Sequence, residues 1–74
     1  MLEQLRKIFD VYKKTDPGAF RADANIRLDL GIDSLQFATI AGEIEDAFGV
    51  EISDADASQV ATIGDLIALI EPQL

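Results

Sequence analysis

The chain has no cysteine, no histidine and no tryptophan among its 74 residues. Without cysteine there is no disulfide and no protein thiol, which excludes a disulfide-stapled fold and thiol catalysis. Without histidine the commonest general base and metal ligand is missing, which argues against an autonomous enzyme. Positive charge is absent from most of the chain as well. All six basic residues, Arg6, Lys7, Lys13, Lys14, Arg21 and Arg27, lie in the first 27 positions beside four acids, a net of +2. From Leu28 onward ten acids and no base give −10, and the whole chain carries −8. Such a surface is a poor one for nucleic acid. It suits a basic protein surface, whose complementary field speeds encounter and sets orientation. Solubility is a plainer use of the same charge. No apolar run approaches the roughly 20 residues of a membrane span. The first residues, Met1-Leu2-Glu3-Gln4-Leu5, read as helix rather than as a signal peptide. No membrane insertion and a cytoplasmic location are therefore the default expectation.

At this length one domain over residues 1–74 is expected, close to the lower limit for a self-supporting core. There is no internal repeat or low-complexity tract. Leu2, Leu5, Ile8, Phe9 and Tyr12 recur at three- and four-residue steps and predict a first helix over about residues 2 to 14, stopped by Thr15-Asp16-Pro17-Gly18. Residues 15 to 32 form a long connection for so small a domain. Its apolar residues Phe20, Ile26, Leu28 and Leu30 predict that it lies over the helices and adds to the core. Ile26-Arg27-Leu28-Asp29-Leu30 alternates like a strand, but a lone strand would have no partner, so extended loop is expected. A second helix runs from about Ser34 to Phe48, with Phe37, Ile40, Ala41, Ile44 and Phe48 on its apolar face and Gly49 at its end. Ser53 with Asp56, and Thr62 with Asp65, are start signals for a short third helix and a fourth over about 63 to 71, ended before Pro72. The expected fold is all-α, a small antiparallel four-helix bundle with a short third helix and a long loop between helices one and two.

The start of the second helix holds the most informative residues, Leu30-Gly31-Ile32-Asp33-Ser34-Leu35. Asp33 has the character of an N-cap, and Gln36 three residues later completes a capping box. A serine at a helix start ordinarily serves as the cap. Here Asp33 fills that role, and Ser34 falls at the first helical position with a spare hydroxyl. Backbone N–H groups and the helix dipole at that point favour an added phosphate. Asp29, Gly31 and Asp33 alternate like calcium ligands, but Ser34 stands where an EF-hand loop requires glycine, so no metal site is expected.

This segment, the helix after it and the closing Phe48-Gly49-Val50-Glu51-Ile52 resemble the modification site of acyl carrier proteins. The resemblance extends over essentially the whole chain. It implies that Ser34 is esterified with 4'-phosphopantetheine by a phosphopantetheinyl transferase. Asp33 would then help complete the surroundings of the transferase's Mg²⁺. It also implies a role in delivery: acyl groups held as thioesters on the arm are shielded between helices two and three and presented to enzymes with basic docking surfaces. The residues implied for shielding are Phe37, Ala41, Ile44, Ile52, Ala57, Val60, Ala61 and Ile63, most of which also read as ordinary core. Those implied for docking are Leu35, Ala38, Glu43, Glu45, Asp46 and Glu51, whose acids read equally as a solvated face. A free-standing monomer is expected.

The chain departs from the commonest fatty-acid carriers, which often have acids at the second and fifth residues after the serine. Gln36 and Thr39 stand there, and Ala38 and Gly42 replace two larger apolar residues. A carrier specialised for its own partners is the expectation. A carrier of aminoacyl or peptidyl groups has the same architecture but more often a Gly-Gly-His-Ser-type motif. An unmodified acidic helical adaptor would explain the charge, though not the spare serine.

Overall fold

A computed structural model describes residues 1–74 as four helices, α1 (Leu2–Tyr12), α2 (Ser34–Phe48), α3 (Asp54–Gln59) and α4 (Ile63–Ile70), followed by a 3₁₀ turn, Glu71–Gln73. Fifteen residues are buried and all are apolar. They form one cluster, with Leu5 and Phe9 of α1, Ile40 and Ile44 of α2, and Ile63, Leu66 and Ile70 of α4 wholly removed from solvent. The short α3 buries no residue fully and lies at the edge of this core.

The starts of α2, α3 and α4 follow the cap signals. Ser53 Oγ accepts from the Asp56 N–H at 3.1 Å, and Thr62 Oγ1 accepts from the Asp65 N–H at 3.1 Å. Gly49 ends α2 in the left-handed conformation at φ 67°, a backbone state that costs glycine little. Helix α1 ends at Tyr12, two residues before the expected point. Asp10 explains this: its Oδ1 accepts from both the N–H and the hydroxyl of Thr15, drawing the chain away from the helix axis. Lys13 is thereby released, and its ammonium donates to the Gly31 carbonyl at 3.1 Å. At the other end, Pro72 lies within the 3₁₀ turn, and Gln73 ties that turn back by accepting from Glu51 N–H and donating to Glu51 C=O, each at 2.9 Å.

The long connection packs as expected at Phe20, Ile26 and Leu30, which are buried, with Phe20 set edge-on against Phe9 at 5.3 Å between ring centres. It is not extended at 26–30, and Leu28 is 80% exposed. Asn25 closes a compact turn there: its side-chain oxygen accepts from the N–H groups of Arg27 and Leu28, and its carbonyl accepts from Asp29 and Leu30. The apolar alternation is therefore folded up, with Ile26 and Leu30 inward and Leu28 at the tip. The turn is anchored to the start of α4, where Ile26 N–H donates to Ala61 C=O and Ile63 N–H donates to Ala24 C=O.

Gly64 lies in the same seam. Its N–H donates to Ala22 C=O at 2.7 Å, and a β-carbon on it would stand 2.9 Å from that oxygen. Gly64→Ala gains about 1 kcal/mol of helix propensity against a steric cost of about 1–3 kcal/mol. Because the obstacle is a hydrogen-bonded backbone carbonyl, the steric cost prevails, and a lower denaturation midpoint in urea is expected.

Two carboxylates of this framework are held below the usual range. The N–H groups of Ala61 and then Thr62 lower the pKa of Asp65, and the Thr15 N–H is the largest influence lowering that of Asp10. Depressed folded values stabilise the native state above the unfolded value near 3.8, and that contribution is lost as pH falls through the lowered folded values. The melting temperature is expected to drop below about pH 4, and Asp65→Asn is expected to flatten that acid limb.

Candidate functional site

Asp33 opens α2 with both halves of a capping box. Its Oδ1 accepts from Gln36 N–H at 2.7 Å, and Gln36 Oε1 accepts from Asp33 N–H at 3.1 Å. The backbone at Gly31, φ 70°, turns the chain into this start. Ser34 is the first helical residue and is exposed. With the cap filled by Asp33, the Ser34 hydroxyl has no backbone duty. The N–H groups of a first helical turn have no intrahelical acceptor, so the helix end offers donors and a favourable dipole to an anion on Ser34.

One further residue meets Ser34 that the motif does not reveal. Arg27 Nη2 donates to Ser34 Oγ at 2.8 Å. The only signals for it in the chain are that Arg27 is the last base before the acidic stretch and follows Asn25 by two residues, an Asx-turn spacing.

Beside Ser34 lies a cleft of about 790 Å³ between α2, α3 and the turn of the long connection. That is within the range of small-ligand sites, about 300–1,000 Å³. Of the residues expected to shield cargo, Phe37, Ala41, Ile52, Ala57, Val60 and Ala61 line it. Ile44 and Ile63 do not. Both are wholly buried in the core, where the rotation of α2 and α4 points them away from the cleft. Arg27, Leu28, Ala38, Gly42 and Glu45 also line it. Nothing stands within 4 Å of where a β-carbon on Gly42 would lie, so its missing side chain leaves open space rather than admitting a protein neighbour.

The residues expected to meet partners do not share one face. Leu35, 80% exposed, and Asp46 project from α2 into solvent, whereas Ala38 and Glu45 border the cleft. Glu45 is half-buried, and its Oε2 accepts from Ile52 N–H at 2.8 Å, fixing the segment after α2. Glu43 turns toward α1, where it accepts from the Tyr12 hydroxyl at 3.0 Å. Desolvation and then this bond to Glu43 raise the Tyr12 pKa. The Glu51 side chain is exposed while its backbone is bound to Gln73. No group of three acids is placed to hold a metal ion, and no helix is long and apolar enough to cross a membrane.

These residues fit a phosphopantetheine arm: an exposed hydroxyl at a helix start, a guanidinium beside it and a cleft alongside. The family model for the phosphopantetheine attachment site matches residues 2–70. A solved structure of a protein assigned as an acyl carrier protein, from Mycobacterium tuberculosis, matches with a TM-score of 0.78 at 30% identity, covering 97% of this chain and 90% of that one. Such domains carry cargo to enzymes and are not themselves catalysts. With a match over nearly its whole length, the chain belongs to the phosphopantetheine-binding carrier family, and its cofactor is 4'-phosphopantetheine.

Proposed function

We propose that Ser34 is the attachment residue and that the protein delivers acyl groups, held on the arm, to the enzymes of a biosynthetic pathway of the fatty-acid or polyketide kind. The observation that carries this reading is the free hydroxyl of Ser34 at the first position of α2, spared from capping by Asp33 and Gln36. In the loading step Ser34 Oγ attacks the phosphorus of coenzyme A that bears the pantetheine. The new P–O bond forms as the bond to the nucleotide breaks, and the hydroxyl proton leaves to a base on the transferase. Asp33 Oδ1 is engaged by Gln36 N–H, which leaves the second carboxylate oxygen to assist the transferase's Mg²⁺. Once attached, the arm supplies the thiol that the chain lacks, on which cargo is held as a thioester.

The cleft beside Ser34, lined by Phe37, Ala41, Ile52, Val60 and Ala61, is where such cargo would be shielded. Docking would fall to Leu35, Ala38 and Asp46, with Glu51 and the acids around them steering toward basic enzyme surfaces. Glu43 and Glu45 would add charge from their tethered positions. Single exposed ion pairs are worth only about 0–1 kcal/mol, so the effect is collective. Gln36, Thr39, Ala38 and Gly42 leave the first half of α2 without acids on these positions, which supports a carrier specialised for its own partners.

Incubation with coenzyme A, Mg²⁺ and a broad-specificity phosphopantetheinyl transferase tests the reading by intact mass. One phosphopantetheine per chain is expected. A folded sample that gains none, beside a known carrier that is modified, contradicts it. Specialisation fails if housekeeping ketosynthases elongate on this carrier as efficiently as on a standard one.

A further inference from the structure

We propose that Arg27 is the phosphate-binding residue of the attached arm, an inference that rests on Ser34 being the attachment point. The guanidinium already reaches the atom that would become the ester oxygen, with Nη2 2.8 Å from Ser34 Oγ. It is also uncommitted. The ion pairs of the chain are Arg6 with Glu3 and Asp10, and Arg21 with Asp23; Arg27 pairs with no carboxylate, although Asp29 and Asp33 are close in sequence. Its backbone is held in place as well. Asn25 accepts from Arg27 N–H at 3.0 Å, Asp29 accepts from Asn25 N–H at 2.8 Å, and Ile26 N–H is bonded to Ala61 C=O. The cation is therefore presented to Ser34 by a turn fastened to α4.

A phosphodiester on Ser34 Oγ carries one negative charge on two non-bridging oxygens, the pattern that a guanidinium fork meets with paired hydrogen bonds. Placing that charge next to Asp33 on a chain of net −8 is unfavourable without a local cation. Arg27 supplies it, and its contact with the hydroxyl is exchanged for contacts with the phosphate. Because Arg27 and Ser34 line the same cleft, the pairing also holds the root of the arm at the cleft rim.

The test is a cycle of four proteins: the parent and Arg27→Gln, each with and without the arm, loading being verified by mass. At low salt the arm is expected to change the melting temperature of the parent more favourably than that of Arg27→Gln by about 2–4 °C, the scale of one exposed ion pair in a domain this small. The difference should shrink at high salt. The ³¹P resonance of the loaded parent should differ from that of loaded Arg27→Gln. Equal melting shifts with coincident ³¹P resonances overturn the role of Arg27 while leaving Ser34 in place. A parent that gains no phosphopantetheine overturns both. Loading of Arg27→Gln is carried to completion, checked by mass, before the comparison, so that a slower attachment does not enter it.

Discussion

Ser34→Ala is expected to abolish phosphopantetheine attachment outright and to leave the fold intact. The size of the chemical effect follows from there being one nucleophile at the site: removal of Oγ leaves no atom to form the ester. The small structural effect follows from what Ser34 does not do. Asp33 and Gln36 cap α2 by themselves, and the serine hydroxyl accepts only from an exposed arginine. Alanine suits the first turn of a helix, so stability should stay within about 0.5 kcal/mol of the parent, as for surface substitutions away from special features. Intact mass after loading and urea unfolding of the unloaded protein check the two halves. A variant that unfolds would mean that Ser34 has a structural role and that its loss of loading says nothing about chemistry.

Phe9→Ala is expected to have the largest effect on stability. Phe9 heads the wholly buried side chains in size, and its ring is packed edge-on by Phe20 from the long connection. Truncation of a buried phenylalanine costs about 3–5 kcal/mol. A 74-residue domain has roughly 4–11 kcal/mol in total, at the usual 0.05–0.15 kcal/mol per residue. The substitution therefore removes a large share of the stability and loosens the connection that presents Arg27. Far-UV circular dichroism against urea should show the midpoint moving strongly downward; an unchanged midpoint would mean that α1 is dispensable to the core.

The parts of this fold legible in the sequence are those set by neighbours in the chain. Asp33 and Gln36, Ser53, Thr62 with Asp65, and Gly49 mark helix ends through bonds that span three or four residues. The apolar repeats of α1, α2 and α4 follow the helical period that buries them. What could not be read depended on contacts across the fold. The alternation at Ile26 to Leu30 reads as extended backbone with Leu28 inward, because a turn closed by Asn25 leaves no periodic trace; the turn instead exposes Leu28. Ile44 and Ile63 read as equal to Phe37 and Val60, but tertiary packing sets the first two wholly in the core and the second two on the cleft. Glu43 and Glu45 read as a matched pair of surface acids, yet Tyr12 claims one and the Ile52 backbone the other. The serine was legible from its motif; its arginine was not, because loop geometry brings the two together.

The most direct single measurement is fragmentation mass spectrometry of the loaded, proteolysed parent. A phosphopantetheine located on Ser34 in the peptide that contains Asp33 and Leu35 is the expected result. The same mass on another hydroxyl, at Thr39, Ser53, Ser58 or Thr62, would contradict the assignment of the start of α2 as the attachment site.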